Sequence, residues 1–199
     1  SSTHPKSRLM LKRILLLIII TVTSIISNAQ HGIDSLQNLL KRQVDPVAKL
    51  HLMLEIGDKY QQHNVDSAFS WYSRIIPKET STSQELDEWM EVANNPTKYY
   101  VAVALARTGL ILIQRGEVEM AQLNVDAAFS LALSIDQPQL ALYASDNLAV
   151  GLARAKQFEQ ASNYFEKSLG VYRTINDTRG VVFCLGNLGV INANIGNLY

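Results

Sequence analysis

A recurrence of small and apolar residues constrains this fold more than any other feature. Phe158, Ala161, Phe165, Ser168, Leu169 and Tyr172 lie at offsets of 0, 3, 7, 10, 11 and 14, which puts them on one face of a helix. Val118, Ala121, Val125, Ala128, Phe129 and Ala132 repeat those offsets forty residues earlier. The intervening helices keep the same interval, because Thr108-Gly109, Leu148-Ala149 and Leu188-Gly189 each set a small residue beside a buried one. Two near-copies, NVDSAFS at Asn64 and NVDAAFS at Asn124, suggest a period of sixty instead. Val65 opens its helix face, however, whereas Val125 stands seven residues into a face begun at Val118, and seven residues are nearly two turns. The true period is forty. Helix pairs repeating at that interval predict a solenoid, in which each pair needs its neighbours to bury its apolar face.

From Pro96 onward strand signals are absent, and polar breaks fall at Gln114-Arg115-Gly116, Asp136-Gln137-Pro138 and Asn176-Asp177. The segment therefore reads as all-α. Leu188-Gly189, Ala161, Phe165 with Ser168-Leu169, and the turn Ile195-Gly196-Asn197 resemble the tetratricopeptide repeat. NDTRGVVFCLGNLGVINANIGNLY is similar to its forty-residue signalling variety, and the resemblance covers about Val47 to Tyr199. It implies a right-handed superhelical solenoid of antiparallel helix pairs. Three positions depart from the pattern: Thr108 replaces the usual Leu, Lys156 the turn Gly, and Arg173 the frequent Pro.

Complete repeats are expected at 96–136 and 137–176, with the first half of another at 177–199. A degenerate unit at 47–77 precedes them, with Ile56-Gly57 and Tyr60 on one helix and Val65, Ala68, Tyr72, Ile75 and Ile76 on the next. The surplus at 78–95 carries a capping box, Thr82-x-x-Glu85, followed by Leu86, Trp89, Met90 and Ala93 at helical spacing; it predicts a short inserted helix. Asn95-Pro96 is expected to start the next long helix as cap and first-turn proline. A leading helix is expected within 30–46. Because the chain stops after a first helix, a longer protein is expected.

Residues 1–29 contain Met10, basic Lys12 and Arg13, an apolar run from Ile14 to Ile26, and the small-x-small site Ser27-Asn28-Ala29. These are the parts of a secretory signal peptide, with cleavage expected between Ala29 and Gln30. The apolar run falls short of the ~20 residues a membrane span needs. Removing the leader turns 18 basic against 18 acidic residues into 14 against 18. With no basic cluster, the mature chain lacks the footprint of a nucleic-acid binder. Its single cysteine, Cys184, excludes an internal disulfide and reads as a buried, inert thiol.

Catalytic and cofactor patterns are missing. His51 and Glu55 share a helix face without a third metal ligand, and there is no HExxH, phosphate loop or GxSxG elbow. Gly186, Gly189 and Gly196 lack the preceding strand of a dinucleotide site. Asp87, Glu88 and Glu91 read as a solvated face, Trp71 and Trp89 as packing residues, and Asn176-Asp177-Thr178 as a turn. No cofactor, metal or catalytic residue is expected.

The period also lists candidate ligand positions, because first helices of this repeat family line a concave groove that holds a peptide or helix. Three rows follow at forty-residue steps: Leu110, Val150 and Val190; Arg107, Asn147 and Asn187; Gln114, Arg154 and Asn194. Side chains within a row should stand side by side. The asparagines either bond a ligand backbone or link neighbouring helices. Asp146 replaces the lysine of the basic set that grips acidic peptide ends in the family, so such peptides are disfavoured. The expected partner is a protein or peptide, in an exported, periplasmic or cell-envelope scaffold. Alternatives are the sensing region of a bacterial kinase or helix-turn-helix regulator, and repeats accessory to an enzyme domain, each with its output beyond Tyr199.

Overall fold

The structure, a computed structural model, describes residues 30–78 and 83–196. The leader with Ala29, Thr82 of the capping box, the side chain of its partner Glu85, and Asn197 lie outside that description. The described residues are all-α. Helix α1 covers 30–42, and α2 (Pro46–Gln61), α3 (Val65–Ser73), α4 (Ser83–Val92) and α5 (Asn95–Gln114) follow. The chain continues through α6 (Val118–Ser134), α7 (Pro138–Arg154), α8 (Phe158–Thr174) and α9 (Thr178–Ile195). No described helix is long and apolar enough to cross a membrane.

The helices stop on a fixed rhythm. Gly116, Asp136, Lys156, Asn176 and Gly196 all adopt left-handed backbone, with φ of 79°, 55°, 62°, 57° and 84°, so a helix ends every twenty residues. At the first four ends the next amide reaches five residues back, as Glu117 N to Leu112 O, Gln137 N to Ala132 O, Gln157 N to Leu152 O and Asp177 N to Tyr172 O, each at 2.9 Å. This arrangement satisfies carbonyls that the helix leaves open. Lys156 therefore takes the left-handed turn despite lacking the glycine's freedom.

Starts are set by side chains. Asp45, Asn64 and Asp177 cap α2, α3 and α9 by accepting from Ala48 N (2.6 Å), Ser67 N (3.0 Å) and Gly180 N (3.1 Å). For α5 the cap is Asn94, which accepts from Thr97 N at 2.9 Å, not Asn95 as the sequence suggested. Asn95 is already helical, and Pro96 follows it within the first turn.

Packing proceeds from neighbour to neighbour: α2 on α3, both on α5, α5 on α6 and α7, then α6 on α7, α7 on α8 and α8 on α9. The repeated faces form this core. Ala121, Val125 and Ala128 of α6 and Ala161, Phe165, Ser168 and Leu169 of α8 are buried, and each large side chain contributes roughly 1.5–3 kcal/mol. Small residues bring helices close, since a Cβ on Gly109 would lie 2.7 Å from Val125 Cγ2. Gly57 likewise faces the ring of Tyr72. Thr108 is buried but satisfied, donating to Ala104 O and Leu105 O and accepting from Asn124 Nδ2 at 2.9 Å.

Candidate functional site

The groove positions sit on α5, α7 and α9, but the three helices are not equally spaced. α7 lies against α5, where Ile113 occupies the space beside Gly151. α9 rests on α8 and makes no comparable packing on α7. Leu110 and Val150 lie on helices that pack on each other, whereas Val190 lies on α9, which packs on α8 and not comparably on α7. Aromatic side chains pack beneath α9. The ring of Tyr172 abuts Gly180, and Phe165 meets Phe183 edge-on with centroids 5.8 Å apart.

The middle row takes three different states. Arg107 donates from Nη1 to Gln61 Oε1 at 2.8 Å and from Nη2 to Asp58 Oδ2 at 3.3 Å, and so ties α5 to α2. Tyr72 completes that cluster, donating to Asp58 Oδ1 at 2.6 Å and meeting Gln61 at 3.0 Å. Burial, followed by the Asp58 carboxylate, pushes the Tyr72 phenol well above its ordinary range. Asn147 is exposed and donates from Nδ2 to Tyr143 O at 2.7 Å. Asn187, half-buried, makes the same bond to Phe183 O at 2.8 Å, and Asn194 to Val190 O at 2.8 Å. None of the three asparagines bridges two helices through these bonds. An amide facing a carbonyl must present its nitrogen, so each leaves its oxygen outward as an acceptor.

The outer positions behave as surface. Gln114, Arg154 and Asn194 are exposed, Leu110 and Val150 half-buried, and Val190 is 63% exposed. Two aromatics on the same stripe were missed: Tyr143 and Phe183, one turn before Asn147 and Asn187, are about 40% exposed. The forty-residue step from Val103 would have found them, but aromatic residues on an amphipathic helix read first as core.

A depression of about 380 Å³ lies beside α7, at the turn from α8 to α9. Leu142, Tyr143, Asp146 and Asn147 of α7 line it, together with Tyr172 of α8 and Asp177 at the start of α9. Asp146 Oδ2 accepts from Tyr172 Oη at 2.6 Å. Its Oδ1 is buried without a hydrogen bond, because the nearby Ser168 hydroxyl donates to Ser145 Oγ at 2.9 Å. Burial raises the Asp146 carboxyl above the usual carboxylate range, with the Tyr172 hydroxyl pulling it partly back. Cys184 is buried, and burial, aided by the Asp146 charge, pushes its thiol up to about 12.

Elsewhere the side chains are structural. Tyr164 and Lys167 both donate to Asp126, at 3.0 and 2.7 Å, and so join α8 to α6. Trp89 and Met90 of α4 pack on the core, Glu88 and Glu91 are exposed, and His51 stacks edge-on against Tyr100 at 5.9 Å. Among the described residues no three of His, Cys, Asp and Glu come together as metal ligands.

No family model matches the chain, and no curated protein matches it. Among solved structures it is similar to the crystal structure of BtubC (BKLC) from P. vanneervenii, at 16% identity with a TM-score of 0.49. The match covers 87% of this chain and 74% of that one. At this distance the likeness says nothing of what either protein binds.

Proposed function

We propose that this chain is an exported, non-enzymatic scaffold built as a right-handed solenoid of tetratricopeptide-type helix pairs, and that it binds an extended protein or peptide segment along α5, α7 and α9. Support for the architecture comes from the helix ends at twenty-residue steps and from the neighbour-to-neighbour packing of successive pairs. Export rests on the leader pattern ending at Ala29-Gln30, and points to a periplasm or cell envelope. The acid-leaning mature chain speaks for a protein partner over a nucleic acid.

One observation carries the binding site. Asn147 stands exposed on α7 with its nitrogen held by Tyr143 O, which fixes the amide plane and leaves the oxygen free for a ligand N–H. Exposed Tyr143 and half-buried Val150 flank it and supply apolar contact on either side. Arg107 stays out of the groove, held by its bonds to half-buried Asp58 and Gln61 on α2.

The test is binding of the full mature chain to a peptide array, compared with Asn147→Ala and Asn187→Ala. The expected result is at least about a fivefold loss for Asn147→Ala, the size of one hydrogen bond worth ~1 kcal/mol. Unchanged binding by both variants would remove the groove assignment.

A further inference from the structure

Export has a chemical consequence at the residue it uncovers. With cleavage after Ala29, Gln30 becomes the first residue of the mature chain and of α1. Its side chain is exposed, and Nε2 donates to Asp34 Oδ1 at 2.9 Å across an exposed contact. A surface bond of this kind exchanges with water and does not fix the side chain. Ile33 is fully buried, so α1 is anchored one turn later while Gln30 stands clear of packing. A nitrogen in the first turn of a helix has no carbonyl four residues back, which leaves that of Gln30 outside the helical ladder. An α-amino group ordinarily titrates near pH ~8, so at neutrality it would set a positive charge at the positive end of the helix dipole.

We propose that Gln30 is a modification site, at which the mature chain closes its own N-terminus into pyroglutamate. This goes beyond the scaffold reading and rests on its export. The neutral α-amine attacks Cδ of its own side-chain amide, the new N–Cδ bond forms, the Cδ–Nε2 bond breaks, and Nε2 departs as ammonia with the proton the amine gives up. Oε1 remains as the lactam carbonyl. Nothing is oxidised or reduced and no co-reactant is consumed, while attacker and target belong to one residue, which gives ring closure the advantage of an intramolecular reaction. The position is specific. Neither Ala29 nor His31 carries a side-chain amide, and Gln37 lies inside the chain without a free amine. Closure exchanges the exposed bond to Asp34 for a neutral lactam N–H at the head of α1, and leaves the Asp34 carboxylate near the positive end of the dipole. It also removes the amine that aminopeptidases require, which protects a chain outside the cytoplasm.

The full chain is produced with its leader in an exporting bacterium, and the exported protein is incubated at neutral pH and sequenced from its N-terminal peptide by tandem mass spectrometry. Gln30→Ala is treated in parallel; it keeps a small residue after the cleavage site and has no amide to close. The expected parent begins at residue 30, is lighter by one ammonia, resists aminopeptidase, and is unblocked by pyroglutamyl peptidase. The expected variant keeps a free amine and is trimmed. A parent that begins at Gln30 and retains its ammonia after incubation overturns the proposal and leaves export standing. Loss of ammonia that persists in Gln30→Ala places the change on another residue and also overturns it. A chain that begins elsewhere, or keeps its leader, overturns the cleavage reading and the proposal together.

Discussion

Two glycines of α9 provide an internal comparison that tests the packing beneath this helix. At Gly180 an added Cβ would fall inside the van der Waals envelope of Tyr172 Cγ, Cδ1 and Cε1, near the root of the ring and not at a flexible tip. The ring cannot swing away freely, because its hydroxyl is held by Asp146 Oδ2 at 2.6 Å. Overpacking of this kind costs ~1–3 kcal/mol, and loosening a hydrogen bond to a charged partner adds to it. Alanine's helix preference returns up to ~1 kcal/mol, less in the first turn where Gly180 sits. Gly180→Ala should therefore destabilise by about 2 kcal/mol. At Gly186 the same Cβ meets nothing within 4 Å, so Gly186→Ala should stabilise by ~0.5–1 kcal/mol through propensity alone. In urea, with a slope of ~2 kcal/mol/M, the midpoints of the two variants should differ by more than ~1 M. If Gly180→Ala proves as stable as Gly186→Ala, then Tyr172 does not pack on α9 as described.

Lys156→Gly relieves a left-handed lysine and should stabilise by ~0.5–1 kcal/mol, read as a rise in Tm of ~2–4 °C; a fall would mean that the lysine stem packs. Asp146→Asn should be more stable than the parent at neutral pH and level with it in acid. The folded carboxyl has a raised pKa, so the parent keeps its full stability below the ordinary value of 3.8 and loses it as pH rises through the folded value. An equal gap across the range, followed by chemical denaturation at several pH values, would contradict this. Cys184, with its thiol at about 12, should resist iodoacetamide at pH 8 in the native chain and react once urea unfolds it. Labelling at the same rate in both states would show that the thiol is not buried.

The period could be read from the residues because every helix between Val118 and Ile195 carries its own complete face, and helix faces are local. Turn placement was equally accessible, since Gly116, Asp136 and Asn176 are residue types that tolerate left-handed backbone; Lys156 is not, and only the register of its neighbours forces it there. The inserted helix was legible from the capping box Thr82-x-x-Glu85 together with the helical spacing after it. What escaped the residues is long-range. The cap at Asn94 differs by one position because two consecutive asparagines offer the same oxygen, and backbone geometry chooses between them. The partnership of Arg107 with Asp58 depends on how the degenerate unit docks, 49 residues away. The close packing of Tyr172 of α8 on Gly180 of α9 joins residues eight apart across two helices, which no pattern along one helix could encode.

Position within a repeat therefore specifies where a side chain points and leaves open what it does there. Arg107, Asn147 and Asn187 occupy one equivalent position, yet the first is consumed by a preceding helix, the second is free at the surface, and the third is half-buried beside an exposed phenylalanine. The difference lies in the neighbour each helix meets. α5 has α2 in front of it with an acid and an amide ready, whereas α7 has only α5, whose own guanidinium is already engaged. The same logic explains Asp146. Its place on α7 fixes its direction, but what it does is set by its neighbour, the Tyr172 hydroxyl of α8 that donates to its Oδ2 at 2.6 Å.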